Sequence, residues 1–216
     1  MKTLNMPPHG KKGILLTFCG LDGCGKTTML QRAMQEFKDD DIVFTKQPTP
    51  FVRESAIFRT FMDTPNHGAY DYRSLSLLAA SDRVQHTSKV IVPALEAGKT
   101  VFSDRYFYSC LANLIARGYA SDSWIYEIAK SIVKPDAAFF FDVPVSIAIE
   151  RVRARAQEKD RYIDIELQYR LREAYLAIAK ANNGILIPTN CAPDISYAAV
   201  RHAILHIKEH RKEIKA

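Results

Sequence analysis

The sequence has no apolar run approaching the ~20 residues that a membrane-spanning helix needs. Its basic opening, Met1 to Lys12, holds no apolar core and no small-residue cleavage site, which argues against a signal peptide and predicts a flexible leader over residues 1–12. Cysteine is scarce: Cys19, Cys24, Cys110 and Cys191 show no C-x-x-C spacing, so neither a zinc site nor a disulfide framework is indicated. Cys24 sits in a turn where a helix starts, but it reads as a space-filling residue rather than a reactive thiol. No internal repeat, low-complexity tract or linker divides the chain, so residues 13–216 are expected to form one domain. The formal net charge is +6, yet no basic tract interleaved with aromatics is present. The expectation is therefore a cytoplasmic protein with neither a membrane nor a nucleic acid as partner.

What is present is ordinary for a globular chain of 216 residues, with 47% hydrophobic and 25% charged residues, enough for one large core. One segment is not ordinary. Gly20-Leu21-Asp22-Gly23-Cys24-Gly25-Lys26-Thr27 fits G-x-x-x-x-G-K-[ST], follows the apolar run Ile14 to Cys19, and leads through Thr28 into a helical pattern. A strand, a glycine turn and a helix start would aim consecutive backbone N–H groups at a phosphate. The glycines let the backbone come close, Lys26 brings a point charge to the β- and γ-phosphates, and Thr27 offers a hydroxyl to Mg²⁺. The segment predicts nucleoside triphosphate binding and leaves the reaction open.

Short apolar runs alternate with longer helical patterns. Strands are expected at 13–19, 42–46, 100–103, 137–142 and 184–188, with helices near 26–38, 51–62, 71–97, 106–116, 122–133, 144–157, 164–182 and 194–210. Such alternation predicts an α/β chain with a parallel sheet covered on both faces and its ligands beyond the carboxyl ends of the strands. At one such end lie Asp104 and Arg105. An acid there can hold Mg²⁺ directly or through water, and the arginine can grip a second phosphate group; an ordinary strand-end ion pair is the competing reading.

Together with Leu77 to His86, Ser103-Asp104-Arg105-Tyr106, Pro135 to Val143, Ile149 to Arg155 and Asp160-Arg161-Tyr162, the glycine-rich segment makes an ordered set. That set resembles the thymidylate kinase family over roughly residues 13 to 205. The resemblance implies a P-loop NTPase fold with a five-stranded parallel sheet, and transfer of the γ-phosphoryl of ATP to dTMP with Mg²⁺. It implies that Gly20 to Thr28 bind ATP, that Asp22 lies near the acceptor sugar and phosphates, and that Thr27 and Asp104 belong to the metal network. Arg105 would meet the acceptor phosphate and Arg83 the pyrimidine base, with Arg59, Ser109 and Asn113 nearby. A lid at about 150–163 would supply a cation to the transferring phosphoryl, because the loop Asp22 to Gly25 contains no arginine. Arg153 and Arg155 are the leading candidates and Arg161 the next, while Arg151 reads as part of a solvated helix face. Residues 153 and 155 lie about 200° apart on a helix at ~100° per residue, so both reach one phosphate only if the helix ends there. A homodimer is also implied.

The chain departs from the family at several places. Lys46-Gln47-Pro48-Thr49-Pro50 stands where an Arg-Glu-Pro-Gly-Gly-like segment is usual, Ala79 where a phenylalanine often stacks on thymine, and Asn113 where a tyrosine packs near the sugar. Cys110 replaces a usual serine or asparagine beside Ser109. Phe51, Tyr70, Tyr72, Tyr108 and Tyr119 are the aromatics that would rebuild a wall for the base. Two alternatives stay open: a kinase for another pyrimidine nucleotide or nucleoside, and a nucleotide-binding protein without kinase activity. Lys26→Ala is expected to abolish turnover while leaving the fold intact, checked by ADP release alongside circular dichroism. An unchanged kcat would remove the glycine-rich segment from the chemistry.

Overall fold

The computed structural model describes residues 2–65 and 68–213; Met1 of the expected leader and residues 214–216 lie outside the described residues. Five strands, β1 (Ile14–Gly20), β2 (Ile42–Lys46), β3 (Thr100–Asp104), β4 (Ala137–Asp142) and β5 (Ile185–Pro188), form a parallel sheet in the order β2-β3-β1-β4-β5. Each agrees with its expected bounds to within one residue. Every residue of β1 is buried, as a central strand covered on both faces requires. Its Phe18 packs against Phe102 of β3 and against Phe139 and Phe141 of β4, at centroid separations of 5.9, 5.1 and 5.8 Å. Each such ring contributes about 1.5–3 kcal/mol by burial. The register pairs Lys46 with Asp104, Phe18 with Asp104, Gly20 with Phe141, and Asp142 with Pro188. The carboxyl ends of all five strands therefore share one edge.

The helices are α1 (Lys26–Glu36), α2 (Pro50–Arg53), α3 (Ala56–Asp63), α4 (Tyr72–His86), α5 (Val92–Glu96), α6 (Phe107–Ala116), α7 (Trp124–Ala129), α8 (Val145–Arg153), α9 (Ile165–Ala181) and α10 (Pro193–Glu213). Helices α1 and α10 pack together on the sheet, α6 and α9 pack together against β1 and its neighbours, and α4 lies on α6. Among the described residues no helix is long and apolar enough to cross a membrane.

Three expected helices are broken, each at an identifiable residue. The helix over 51–62 splits because Ser55 is extended (φ −65°, ψ 144°), and its hydroxyl accepts from the Phe58 N–H at 3.3 Å to start α3 anew. The helix over 71–97 widens into a π-helical turn at Thr87–Ile91 before α5. Pro93 has no N–H to return to residue 89 and its ring crowds that carbonyl, so the regular ladder cannot continue. The helix over 144–157 stops at Arg153, and a 3₁₀ turn follows at Ala156–Glu158.

The leader expected to be flexible packs on the body. Leu4 and Met6 are buried, the Leu4 N–H donates to Asn182 Oδ1 at 2.9 Å, and the Lys134 N–H donates to Pro7 O at 2.7 Å. Leu4 and Met6 alternate with exposed Thr3 and Asn5, a period-2 pattern that lets a short extended segment bury one side. Asp136, just before β4, fastens this segment. It accepts from the Leu15 N–H at 2.8 Å, pairs with His9 at 2.8 Å, and binds the Arg211 guanidinium of α10.

Burial alone would raise the Asp136 pKa, but His9, the Leu15 N–H and Arg211 outweigh it and hold the carboxyl below its usual range. A depressed folded-state pKa gives stability that is present above the unfolded carboxylate value and lost as pH falls through the folded one. Asp136→Asn should therefore destabilise the protein by about 3 kcal/mol at pH 7. In urea melts from pH 7 to 3 the gap to the wild type should close with acid; a gap that widens with acid would contradict this account.

Candidate active site

At the shared strand edge the chain leaves β1 through Gly20 and re-enters a helix at Lys26. Gly23 and Gly25 have φ of 81° and 82°. A Cβ on Gly23 would stand 2.1 Å from the Ala148 carbonyl oxygen, so the loop passes under the start of α8 with no space for a side chain. Gly25 precedes α1, and no side chain among the described residues caps that helix. Its first N–H groups are thus available to an anion.

Lys26 is buried with its Nζ 3.1 Å from Asp104 Oδ1, and Lys46 Nζ lies 3.6 Å from Asp104 Oδ2. Burial pushes the Asp104 pKa up, but Lys26, Arg105 and Lys46 more than reverse this, so the carboxylate is ionised at neutral pH. Asp104 Oδ1 makes no aligned hydrogen bond among the described residues, and the Thr27 side chain is exposed at the mouth of the loop. An ionised carboxylate oxygen and a free hydroxyl suit a hard cation that also takes phosphate oxygens. Among the described residues no three His, Cys, Asp or Glu side chains converge to hold a metal by themselves.

Arg105 has φ 69°, the left-handed region that costs a residue with a Cβ, and both terminal nitrogens of its side chain have partners. Its Nη1 donates to Gly20 O at 3.0 Å and to the Tyr175 hydroxyl at 3.1 Å; its Nη2 donates to Asp22 Oδ1 at 2.5 Å. The Tyr175 hydroxyl in turn donates to Ser109 Oγ at 3.0 Å. The second Asp22 oxygen accepts from Arg161 Nη2 at 3.0 Å, while Arg161 Nη1 donates to Glu158 at 3.0 Å. Burial works to raise the Asp22 pKa, but Arg105, Lys26 and Arg161 overcome it and hold this carboxyl well below the usual range.

Two chambers meet at this cluster. One is lined by the glycine-rich loop, Lys46, Asp104 and Arg155; the other by Arg83, Ala79, Ser109, Asn113 and Tyr175, with α4 and α6 as its walls. Asp22, Arg53, Arg105 and Arg161 line both. Arg53 was not among the residues expected from the sequence. It closes α2 with Nε donating to Pro48 O at 2.6 Å and Nη2 to Gln47 O at 3.2 Å, so the proline-rich turn aims it at the junction. Burial, then the neighbouring Arg105 and Arg83, lower its pKa. Three guanidiniums this close favour an anion between them. The sequence signal was there: an arginine closely following the Pro48-Thr49-Pro50 turn.

Other expected residues fall in different places. Arg83 is buried, with Nη1 donating to Ala79 O at 2.8 Å. Arg59 pairs with Asp63 at 2.7 Å and lines the loop-side chamber, not the one walled by α4 and α6. Arg153 donates to Lys159 O at 3.0 Å and lines neither chamber, whereas Arg155, beyond the end of α8, lines the loop-side one. The end of the helix at Arg153 separates them. Arg151 is not on a solvated face: its Nη2 donates to Thr189 O at 2.8 Å and its Nη1 reaches Gly23 O at 3.5 Å. Thr189 Oγ1 also donates to Cys24 O at 2.8 Å, tying the loop after β5 to the glycine-rich loop. Of the aromatics considered, Tyr72 lines the second chamber, joined by Phe58, Phe61 and Tyr162. Phe51 is 73% exposed, Tyr70 is exposed, Tyr108 is buried in the core, and Tyr119 stacks on Tyr72 at 6.4 Å.

The family model for thymidylate kinase matches residues 18–195. A probable thymidylate kinase of Thermococcus kodakarensis is 38% identical over 168 residues, which is 74% of this chain and 82% of the relative. One from Pyrococcus abyssi is 36% identical over 176 residues, covering 78% and 84%. The crystal structure of thymidylate kinase from Ehrlichia chaffeensis superposes with a TM-score of 0.67 at 24% identity, over 89% of this chain and 98% of that one, which shows a common fold.

Tyr175→Phe removes the hydroxyl that accepts from Arg105 and donates to Ser109. The affinity for a phosphate-bearing ligand of the second chamber should fall about three- to tenfold, the worth of one hydrogen bond. Calorimetric titration checks this, and an unchanged affinity would show that Gly20 O and Asp22 alone hold Arg105.

Proposed function

This chain belongs to the thymidylate kinase family of phosphotransferases, and from that membership we propose that it phosphorylates dTMP with ATP in the cleft where the two chambers meet. The observation that carries the reading is the junction itself, where Asp22 pairs with Arg105 and Arg161, and Arg53 lines the same junction, between a nucleotide loop and a second, partly apolar chamber. The triphosphate occupies the glycine-rich loop, its β- and γ-phosphates met by the loop N–H groups, the start of α1 and Lys26. The acceptor monophosphate lies at Arg105 and Arg53, with its base in the trough at Arg83. An oxygen of the acceptor phosphate forms a bond to the γ-phosphorus as the bond to the bridging oxygen of ADP breaks. A phosphate dianion is already a nucleophile, so no side chain need remove a proton.

Thr27 and Asp104 are the residues that would hold Mg²⁺ alongside the phosphates. Bound there, the ion would neutralise charge on the bridging and terminal oxygens. Lys26 exchanges its Asp104 partner for phosphate oxygens as the nucleotide enters. Asp22 keeps Arg105 turned toward the acceptor, and the segment at about 150–163 acts as the lid. Arg155 is the lid cation for the transferring phosphoryl, with Arg161 fixing the lid to the loop through Asp22; Arg153 takes no part.

The remaining parts of the proposal are a single kinase unit, expected over residues 13–216 and here joined by the packed opening segment, a cytoplasmic location and a homodimer. The four free cysteines support a reducing compartment. The exposed apolar side chains Leu77 of α4 and Val90 of the π-helical turn support a pairing surface. Light scattering that returns a monomer mass would overturn the dimer.

ADP release from ATP and Mg²⁺ with dTMP, dUMP, UMP, dCMP and thymidine tests the activity. Preference for dTMP is the expected result; preference for another acceptor would change the substrate, and no turnover with any would leave a nucleotide-binding protein. Arg155→Ala should lower kcat at least about a hundredfold with KM for both substrates changed only a few-fold. A change confined to KM would take Arg155 away from the transferring phosphoryl.

A further inference from the structure

The acceptor chamber has two buried polar atoms with no hydrogen-bond partner among the described residues, and the proposed reaction uses neither. Ser76 Oγ lies on α4, in a residue only 2% exposed, and Arg117 Nε lies just beyond α6. Both residues line the chamber. A buried serine in a helix commonly donates to the carbonyl four residues earlier, and Ser76 does not. Orphaned buried groups of this kind call for an explanation, because desolvation without a partner is costly.

Their positions in the trough suggest one. Tyr72, Ser76, Ala79 and Arg83 share one face of α4 by their spacing, and Cys110, Asn113 and Arg117 follow one line along α6 and its end. Arg83 Nε reaches Tyr106 O, just before α6, at 3.4 Å, while the Arg117 guanidinium lies 4.4 Å from the Tyr72 ring centroid. The two helices therefore run antiparallel with the chamber between them. Ser76 stands ~10 Å from Arg83 along the α4 axis, at 1.5 Å per residue. Ala79, between them, contributes only a methyl group.

Resting on the reading of this chamber as the acceptor site, the base points away from the arginines that hold its phosphate. A pyrimidine is joined to its sugar at N1, so C4 and C5 form its far edge. Arg117 Nε–H can only donate, and Ser76 Oγ can accept as well as donate. We propose that Ser76 and Arg117 form a distal polar subsite for an oxygen-bearing substituent at C5 of the acceptor base, so that a 5-hydroxymethyl-pyrimidine deoxynucleotide binds in preference to dTMP. The substituent oxygen accepts from Arg117 Nε–H, its O–H donates to Ser76 Oγ, and both orphans are satisfied at once. The thymine methyl group satisfies neither.

Calorimetric titration of the full chain with dTMP and with 5-hydroxymethyl-dUMP, in the presence of a non-hydrolysable ATP analogue, tests the subsite. The hydroxymethyl nucleotide should bind about five- to tenfold more tightly, as one or two added hydrogen bonds imply. That ratio should fall to about one or below in Ser76→Ala and in Arg117→Met. The serine variant removes a single atom and keeps the test valid if Arg117→Met fails to fold. Tighter binding of dTMP to the wild type, or a ratio that the variants leave unchanged, would overturn the subsite and mean that water satisfies the two atoms. Because the ratio is read without turnover, absence of dTMP phosphorylation in the ADP assay would count against the kinase reading alone. Binding of neither nucleotide would overturn both.

Discussion

One carboxylate holds the cleft together. Asp22 comes from the loop after β1, Arg105 from the end of β3, and Arg161 from the segment after α8, and the three meet because a parallel sheet delivers its strand ends to a single edge. Without that negative charge, Arg105 would lose its ion-pair partner, and Arg161 would keep only Glu158 while both face Arg53 and Arg83. One Asp22 carboxylate does not offset the guanidiniums of Arg53, Arg83, Arg105 and Arg161, so the junction keeps net positive charge and favours an anion. Arg105 shows how firmly this geometry is specified, since it takes a left-handed backbone conformation so that its side chain reaches Gly20 O, Tyr175 and Asp22 together.

Close backbone contact does the complementary work on the nucleotide side. The loop at Gly23 lies against the Ala148 carbonyl, and Arg151 and Thr189 bind its carbonyls from the other direction. Helix α8, the glycine-rich loop and the turn after β5 are thus joined by direct contacts. Helix α8 leads directly into the segment carrying Arg155 and Arg161, so the helix that touches the glycine-rich loop also sets where that segment begins. The chemistry asked of the protein is placement of charge and exclusion of water, and both depend on these short backbone contacts.

Several features escaped sequence reasoning for a shared reason: each depends on which neighbour a side chain finds across the fold. Arg151 and Arg153 are two residues apart on one helix, yet one binds the glycine-rich loop and the other is spent on Lys159 O at the surface. Arg53 became visible only when α2 closed on the Pro48 turn. The opening segment looked loose because it is short and basic; Leu4 is held by Asn182, 178 positions away, and the cluster joins His9 to Asp136 across 127 positions and Asp136 to Arg211 across 75. Helix breaks at Ser55 and Pro93 were visible as residue types but not as outcomes, since neighbours often carry a helix through such sites.

By itself the sequence determined the strands, the all-parallel sheet, the glycine-rich loop with Lys26 and Thr27, and the placing of Asp104 and Arg105 at a strand end. Those follow from local rules: periodicity, glycine where a positive φ is forced, and apolar runs too short for anything but buried strands. Only the tertiary structure decided which arginines face the cleft, which aromatics wall the second chamber, and that Ser76 Oγ and Arg117 Nε find no hydrogen-bond partner inside it among the described residues. Side-chain direction at a helix end, and the pairing of charges from distant strands, depend on packing in three dimensions, and spacing along the chain does not encode them.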